Sequence, residues 1–591
     1  MDTFTLTIAV SLVVFVAIGN YAGRNVKKID DYFVAGRRTP TFFIFGTLVA
    51  SVFSATVFLG EAGFTYDGQM GPYLLLPGIT ATGYVYGALL FGRYLRRSEA
   101  PTVADYFGQR FASLRVQRAA GVIIIVALAV YLLIVTQGAA ILLSDLTDLS
   151  YRQGLVVAWV SYTIFTMYSG SEGVILTDTL MFLLFGVATI VFGIVVVGDL
   201  GGVATAIEGM ARLESKPDIA SWHGIVGPGT EWATPIDYLI WALVIDTAWS
   251  AVYAVSPWQA SRHLMARNEH VVIRAAIYTC IAVIILQIFI YGLGGLINLR
   301  NDSIEPSETV MIWAAKNLVP EYLGALLVAG IIAAALSSAS TFLSLIGFSA
   351  SNDIVKRDAP LTLRSTRIIM FIVAALTLVA SFCFPPNIFW LMLFVGTVFT
   401  SSWGPVALMS VWSRRITKDA AFWGMVAGFV FNVGPAALEY FGYIDMPHIF
   451  GPTVVGLLVG LAVIFTLSAR GVVSEAEKDY RRRLHQTPLS DRNRGMAKTT
   501  IIAAIGLIVY GCVMPFLTIN YYIIPYQRGA ERLLPDGSIN WSTGEAMFAF
   551  APALLYIPLG IAAAIAIWRG YGASQGGADL KGVPEAASPT A

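Results

Sequence analysis

The stretch "YLGALLVAGIIAAALSSASTFLSLIGFSASNDI", residues 322–354, decides the fold. It is apolar enough to lie in a bilayer, yet it carries Ser337, Ser338, Ser340, Thr341 and Ser344 within eight positions. A hydroxyl in hydrocarbon needs a hydrogen-bond partner or it is expensive to bury. Ala334, Ser337, Ser338 and Thr341 stand at i, i+3, i+4 and i+7, one face of a helix; Ser337, Ser340, Thr341 and Ser344 form an overlapping face. Two readings follow. Small and hydroxyl residues line contacts between membrane helices, where backbones approach closely. Alternatively, a stripe of oxygen atoms beside small residues binds a hard cation, which wants several oxygens.

Outward from this stretch the whole chain has membrane character. Of its 591 residues, 57% are hydrophobic and 13% charged, a composition foreign to soluble proteins. Apolar runs of bilayer-spanning length recur at 3–22, 40–62, 71–95, 119–144, 152–169, 174–198, 234–256, 272–296, 321–346, 366–384, 388–411, 420–442, 449–468, 498–520 and 546–568, about fifteen spans in all. If alternate connections share a side, one side holds all but seven of the 38 Lys and Arg. These include Arg24, Arg37, Arg38, Arg93, Arg96, Arg97 and the basic segment from Arg470 to Arg494. The positive-inside rule puts that side in the cytoplasm, with the N-terminus outside and the C-terminus inside; chain length and the lack of organelle signals point to a cell inner (plasma) membrane. Asp2 before the first span argues against a cleaved signal peptide. Cys280, Cys383 and Cys512 fall within spans, so no disulfide framework or metal cluster is expected. The net charge of +1 carries no nucleic-acid signal. Five His without ligand spacing and no nucleophile motif leave nothing for an enzyme.

Further motifs stand with the hydroxyl stretch. "DDYFVAGRRTP" (30–40), "TQGAAILLSDLTDLS" (136–150), "GVILTDTLMF" (173–182) and "GPVALMSVWSRRITKDAAFWGMVAG" (404–428) resemble, in order, signatures of the solute:sodium symporter family. The resemblance implies an all-α polytopic membrane protein with a five-plus-five inverted-repeat (LeuT-like) core and extra helices at both ends. Residues 1–30 would hold an extra span, 31–430 the transport core (spans 2–6 and 7–11), 431–569 additional helices with a basic loop at 470–497, and 570–591 a disordered tail. The first span of each repeat would be broken near the midplane, where loose carbonyls are cation ligands. Na+ would be the coupling ion, one or two per cycle. The main sodium site would take the carbonyls of Ala50, Phe53 and Ala334 and the hydroxyls of Ser337 and Ser338. A second would combine Asp178 with Ser337, Ser340 and Thr341; against it, Asp178 reads as an interface carboxylate capping its helix or pairing with a loop Arg.

The family name fixes no solute. In "IWALVIDTAWSAVYAVSPW" (240–258), Asp246, Trp249, Ser250 and Tyr253 share a face at i, i+3, i+4 and i+7, opposite an apolar wall. A mid-span carboxylate is expensive and normally functional, although aromatic residues there also serve ordinary packing. Gln137 in the fourth span and Glu61 towards the outer end of the second are candidates for the same cavity. The partners expected are a small organic solute (organic-acid, amino-acid-like or sugar-like) and the lipid bilayer, with monomer and homo-oligomer both open. A transporter-like sensor acting through a separate partner and a proton-coupled carrier stand as alternatives. Paired neutral hydroxyls weigh against the latter, because proton coupling needs a titrating group.

Overall fold

The computed structural model describes residues 2–24, 29–76, 78–354 and 362–572; the tail expected from 570 lies almost wholly outside them. Among the described residues there are helices and one isolated bridge, Thr39 to Ala266, but no strands. Twelve continuous helices are long and apolar enough to cross a bilayer. The second, third and fifth expected spans do not stand among them. The second is interrupted, the third (Gly78–Ser98) is bent against it, and the fifth is the first part of the long helix Tyr151–Asp199.

The interruptions have local causes. Helix Thr41–Ala50 ends where Ser51 turns its hydroxyl onto Leu48 O at 2.9 Å, and Ser54 bonds the Thr56 N–H at 3.1 Å. Short hydroxyl side chains here compete for backbone groups that a helix would use. The chain resumes as widened helical turns from Thr56, and helix continues to Leu75, so Glu61 sits within this span and not near its end. The span expected at 234–256 runs as Pro235–Val255, then turns at Ser256 (φ −57°, ψ 148°) and restarts as Pro257–Met265. Pro257 dictates that turn: it pushes the preceding residue out of helical backbone and opens the next helix as its first residue. Helix Tyr151–Asp199 breaks at Gly170, whose φ of 56° and ψ of −172° suit glycine alone. A Cβ there would also meet the Tyr32 ring at 2.6 Å.

The hydroxyl helix, Glu321–Ser349, is the most enclosed of the membrane-length helices, with 94% of its apolar window buried. It packs against Thr3–Gly23, Leu114–Leu146 and Tyr151–Asp199. Gly330 lets the Phe185 backbone come within 3.0 Å of where a Cβ would stand, the close approach that small residues allow in membranes. The last helices form two antiparallel pairs, Lys418–Tyr440 with Pro452–Arg470 and Arg494–Thr518 with Ala551–Tyr571, on the outside of the core. Arg97, paired with Glu269 at 2.5 Å and donating to Leu484 O at 2.7 Å, and Tyr571, bonded to the same Glu269, tie these additions down.

Connections gather at two ends. At one, Arg96 reaches Ala266 O at 2.5 Å, Thr102 reaches Asp353 at 2.8 Å, and Glu269 N–H reaches Asp491 at 3.1 Å. At the other, Tyr66 bonds Asn301 O at 2.9 Å, Tyr522 bonds Ala220 O at 2.7 Å, and Lys316 pairs with Asp145 at 2.8 Å. These are the two sets into which the Lys and Arg count divides the loops.

Candidate functional site

Helix Glu321–Ser349 crosses the first break, at residues 51–55, at the level of its paired serines. Ser337 Oγ stands 3.3 Å from Ala50 O and Ser338 Oγ 3.4 Å from Phe53 O, all four residues being fully buried. A cation of this size class holds oxygens at about 2.4 Å, and two such oxygens at right angles stand about 3.4 Å apart. The spacing is that of co-ligands, long for a hydroxyl–carbonyl hydrogen bond. Ala334, also fully buried, lies one turn before Ser338 on the same face.

Ser337 has one proton to give. Asp178 Oδ1 is 2.7 Å from its Oγ, closer than Ala50 O, so the proton goes to the carboxylate and the lone pairs remain for a cation. Asp178 itself is fully buried and accepts from Thr47 at 2.6 Å and from Arg262 at 3.2 Å. The same Arg262 nitrogen donates to Thr341 Oγ1 at 2.6 Å. Arg262 is 3% exposed. The arginine therefore stands between Asp178 and Thr341, two of the residues expected at a second sodium. Ser340 turns its hydroxyl back to Ser337 O at 2.8 Å.

Arg262 and Thr47 are the residues that sequence reasoning missed. Arg262 lies in "PWQASRHLM", which by hydropathy falls beyond the end of its span; only the restart of the helix at Pro257 carries it back into the core. The proline was the available signal.

A second polar region lies between helix Thr56–Leu75 and helix Pro235–Val255. There Glu61, Tyr73, Asp246, Trp249, Tyr253, Gln287 and Tyr291 line a cavity of about 50 Å³. Glu61 accepts a hydrogen bond from Tyr291. Asp246 makes no hydrogen bond or ion pair among the described residues. Among the described residues, Gln287 Oε1 and Trp249 Nε1 are buried without hydrogen-bond partners. The expected solute face therefore divides: Asp246, Trp249 and Tyr253 reach the cavity, whereas Ser250 bonds Thr82 at 2.9 Å and Tyr86 at 3.1 Å on the neighbouring helix. Gln137 is fully buried elsewhere, its amide donating to Phe384 O at 2.8 Å.

Two broken helices, paired hydroxyls facing backbone carbonyls at one break and a polar cavity between two of the helices fit the anatomy of an ion-coupled secondary transporter. The chain belongs to the sodium:solute symporter family, whose profile matches residues 32–428. It is 23% identical to the sodium/proline symporter of Salmonella typhimurium (strain LT2) over 80% of this chain and 95% of that protein. It is 25% identical to the sodium/pantothenate symporter of Escherichia coli (strain K12), over 77% of this chain and 94% of that protein. Among solved structures, a Na+-coupled sialic acid symporter in its substrate-bound outward-open state superposes with a TM-score of 0.65 at 17% identity, covering 80% of this chain and 99% of that one. The five-plus-five inverted-repeat fold follows, and the protein is a multi-pass sodium-coupled symporter of a small solute.

Proposed function

We propose that the chain imports its solute by letting one Na+ bind across the first helix break, with the carbonyls of Ala50, Phe53 and Ala334 and the hydroxyls of Ser337 and Ser338 as ligands. One observation carries this: two hydroxyls of one helix stand at co-ligand distance from two carbonyls of another. The ligands belong to two elements, so their closure on the ion would couple occupancy to the movement of one helix against the other. The guanidinium of Arg262 supplies the positive charge beside Asp178, which favours one ion per cycle over two. The solute would sit at the Asp246 cavity, which at about 50 Å³ would have to widen to admit a molecule the size of those named for the relatives (proline, pantothenate, sialic acid). The charge-rich end of the molecule would face the cytoplasm of a plasma membrane, with the N-terminus outside. An inward sodium gradient then drives import.

The test is uptake by proteoliposomes with sodium imposed outside, potassium replacing it in the control, across a panel of labelled small solutes. Sodium-driven accumulation with a Hill slope near one is expected. Accumulation that ignores sodium and follows an imposed pH gradient would transfer the coupling to protons.

A further inference from the structure

The lining of the solute cavity is lopsided in charge. Among the described residues it carries two carboxylates, Glu61 and Asp246, and no Lys or Arg. Glu61 is engaged by the Tyr291 hydroxyl, but Asp246 has no partner among the described residues. An ionised carboxylate enclosed at membrane depth is costly unless something meets it. Beside it, Gln287 is 4% exposed and presents an oxygen with no donor; a buried acceptor left open normally marks a missing N–H or O–H. Aromatic faces complete the wall. The Trp249 and Tyr253 rings meet edge to face at 5.8 Å, and Tyr73 and Tyr291 do so at 4.9 Å. Such faces attract cations, most strongly where water is excluded.

Resting on the reading of this cavity as the solute site, we infer that the transported solute carries a protonated amine. Its charge meets Asp246, one of its N–H groups donates to Gln287 Oε1, and its carbon frame lies against Trp249 and Tyr253. An anion of the same size is rejected by the two carboxylates, and a neutral alcohol leaves Asp246 without a counter-charge. A quaternary ammonium keeps the charge but has no N–H for Gln287, so it ranks below an amine.

Four probes built on one five-membered ring separate these cases: pyrrolidine, N,N-dimethylpyrrolidinium, cyclopentanol and cyclopentanecarboxylate. Their binding to the full chain in detergent with sodium chloride is read from tryptophan fluorescence, since Trp241 and Trp249 both line the cavity. Pyrrolidine is expected to bind at least about tenfold more tightly than the alcohol or the carboxylate. Asp246→Asn should remove that preference, and Gln287→Leu should remove the preference for pyrrolidine over its dimethyl analogue, with sodium affinity held in both. The wild-type ranking stands by itself if a variant fails to fold. Tighter binding of cyclopentanol or cyclopentanecarboxylate, or binding of none of the four, overturns the inference. Sodium-driven uptake of an anion would do the same while leaving the sodium-coupled mechanism intact.

Discussion

Asp178 and Asp246 are both carboxylates carried by membrane helices, and they live in opposite circumstances. Asp178 has Thr47, Ser337 and Arg262 on its two oxygens, drawn from three different helices. Asp246 has none among the described residues, and faces a cavity with Trp249, Tyr253 and the unpartnered Oε1 of Gln287. A buried charge that is fully partnered holds elements together; a half-buried one that faces a cavity without partners is free to take a ligand. The first arrangement would hold the proposed sodium site together, because Ser337 bonds Asp178 and also faces Ala50 O across the helix break. The second leaves room for a solute whose own groups complete the set. Residue type and depth do not separate the two roles. Partners do.

The strongest way to break this contrast is to remove the arginine. Arg262→Met leaves Asp178 buried and uncompensated, a loss of about 3–5 kcal/mol, and should sharply lower the thermal unfolding temperature in detergent. Adding Asp178→Asn should restore most of it, because the neutral pair no longer strands a charge. A stable single variant whose sodium Hill slope rises towards two would mean that sodium takes the guanidinium's place. The contrast between the carboxylates would then collapse.

At the oxygen cage itself, Ser337→Ala or Ser338→Ala removes one of five oxygens. Apparent sodium affinity should fall at least tenfold, about 1.4 kcal/mol or more, while solute affinity at saturating sodium changes far less. Sodium activation curves of the two variants check this, and unshifted curves would leave the hydroxyls as packing. Smaller still, Thr47→Val deletes one hydrogen bond to Asp178 and should reduce stability by about 1 kcal/mol, seen as a modest shift in thermal unfolding.

The smallest effects sharpen the comparison. Ser250→Ala, next to the cavity in sequence but bonded to Thr82 and Tyr86, should leave solute half-saturation within about twofold. Asp246→Asn should unfold no earlier than the parent, because no structural partner is lost; earlier unfolding would expose a structural role for that carboxylate. Transport assays settle the first and calorimetry the second.

The sequence by itself determined the solvent of the fold and its family, and it singled out the hydroxyl face proposed for the ion. Apolar runs set the membrane character, because every backbone polar group in lipid must be satisfied within a helix. The i, i+3, i+4 spacing of Ala334, Ser337 and Ser338 put three candidate ligands on one face, since helical periodicity is local. The division of loops by basic charge matches the two ends at which their contacts gather. Only the tertiary structure decided what meets those faces. Ser250 shares a helical face with Asp246 yet turns to another helix, and Gln137 reaches a backbone carbonyl away from the cavity, because a helix face is shared among several neighbours. Arg262 looked like a loop cation because hydropathy averages over a window, and the turn at Ser256–Pro257 returns a polar segment to the core. Its pairing with Asp178 joins residues 84 apart in sequence; no local pattern reports such a meeting, because it is fixed by how two broken helices pack against a third.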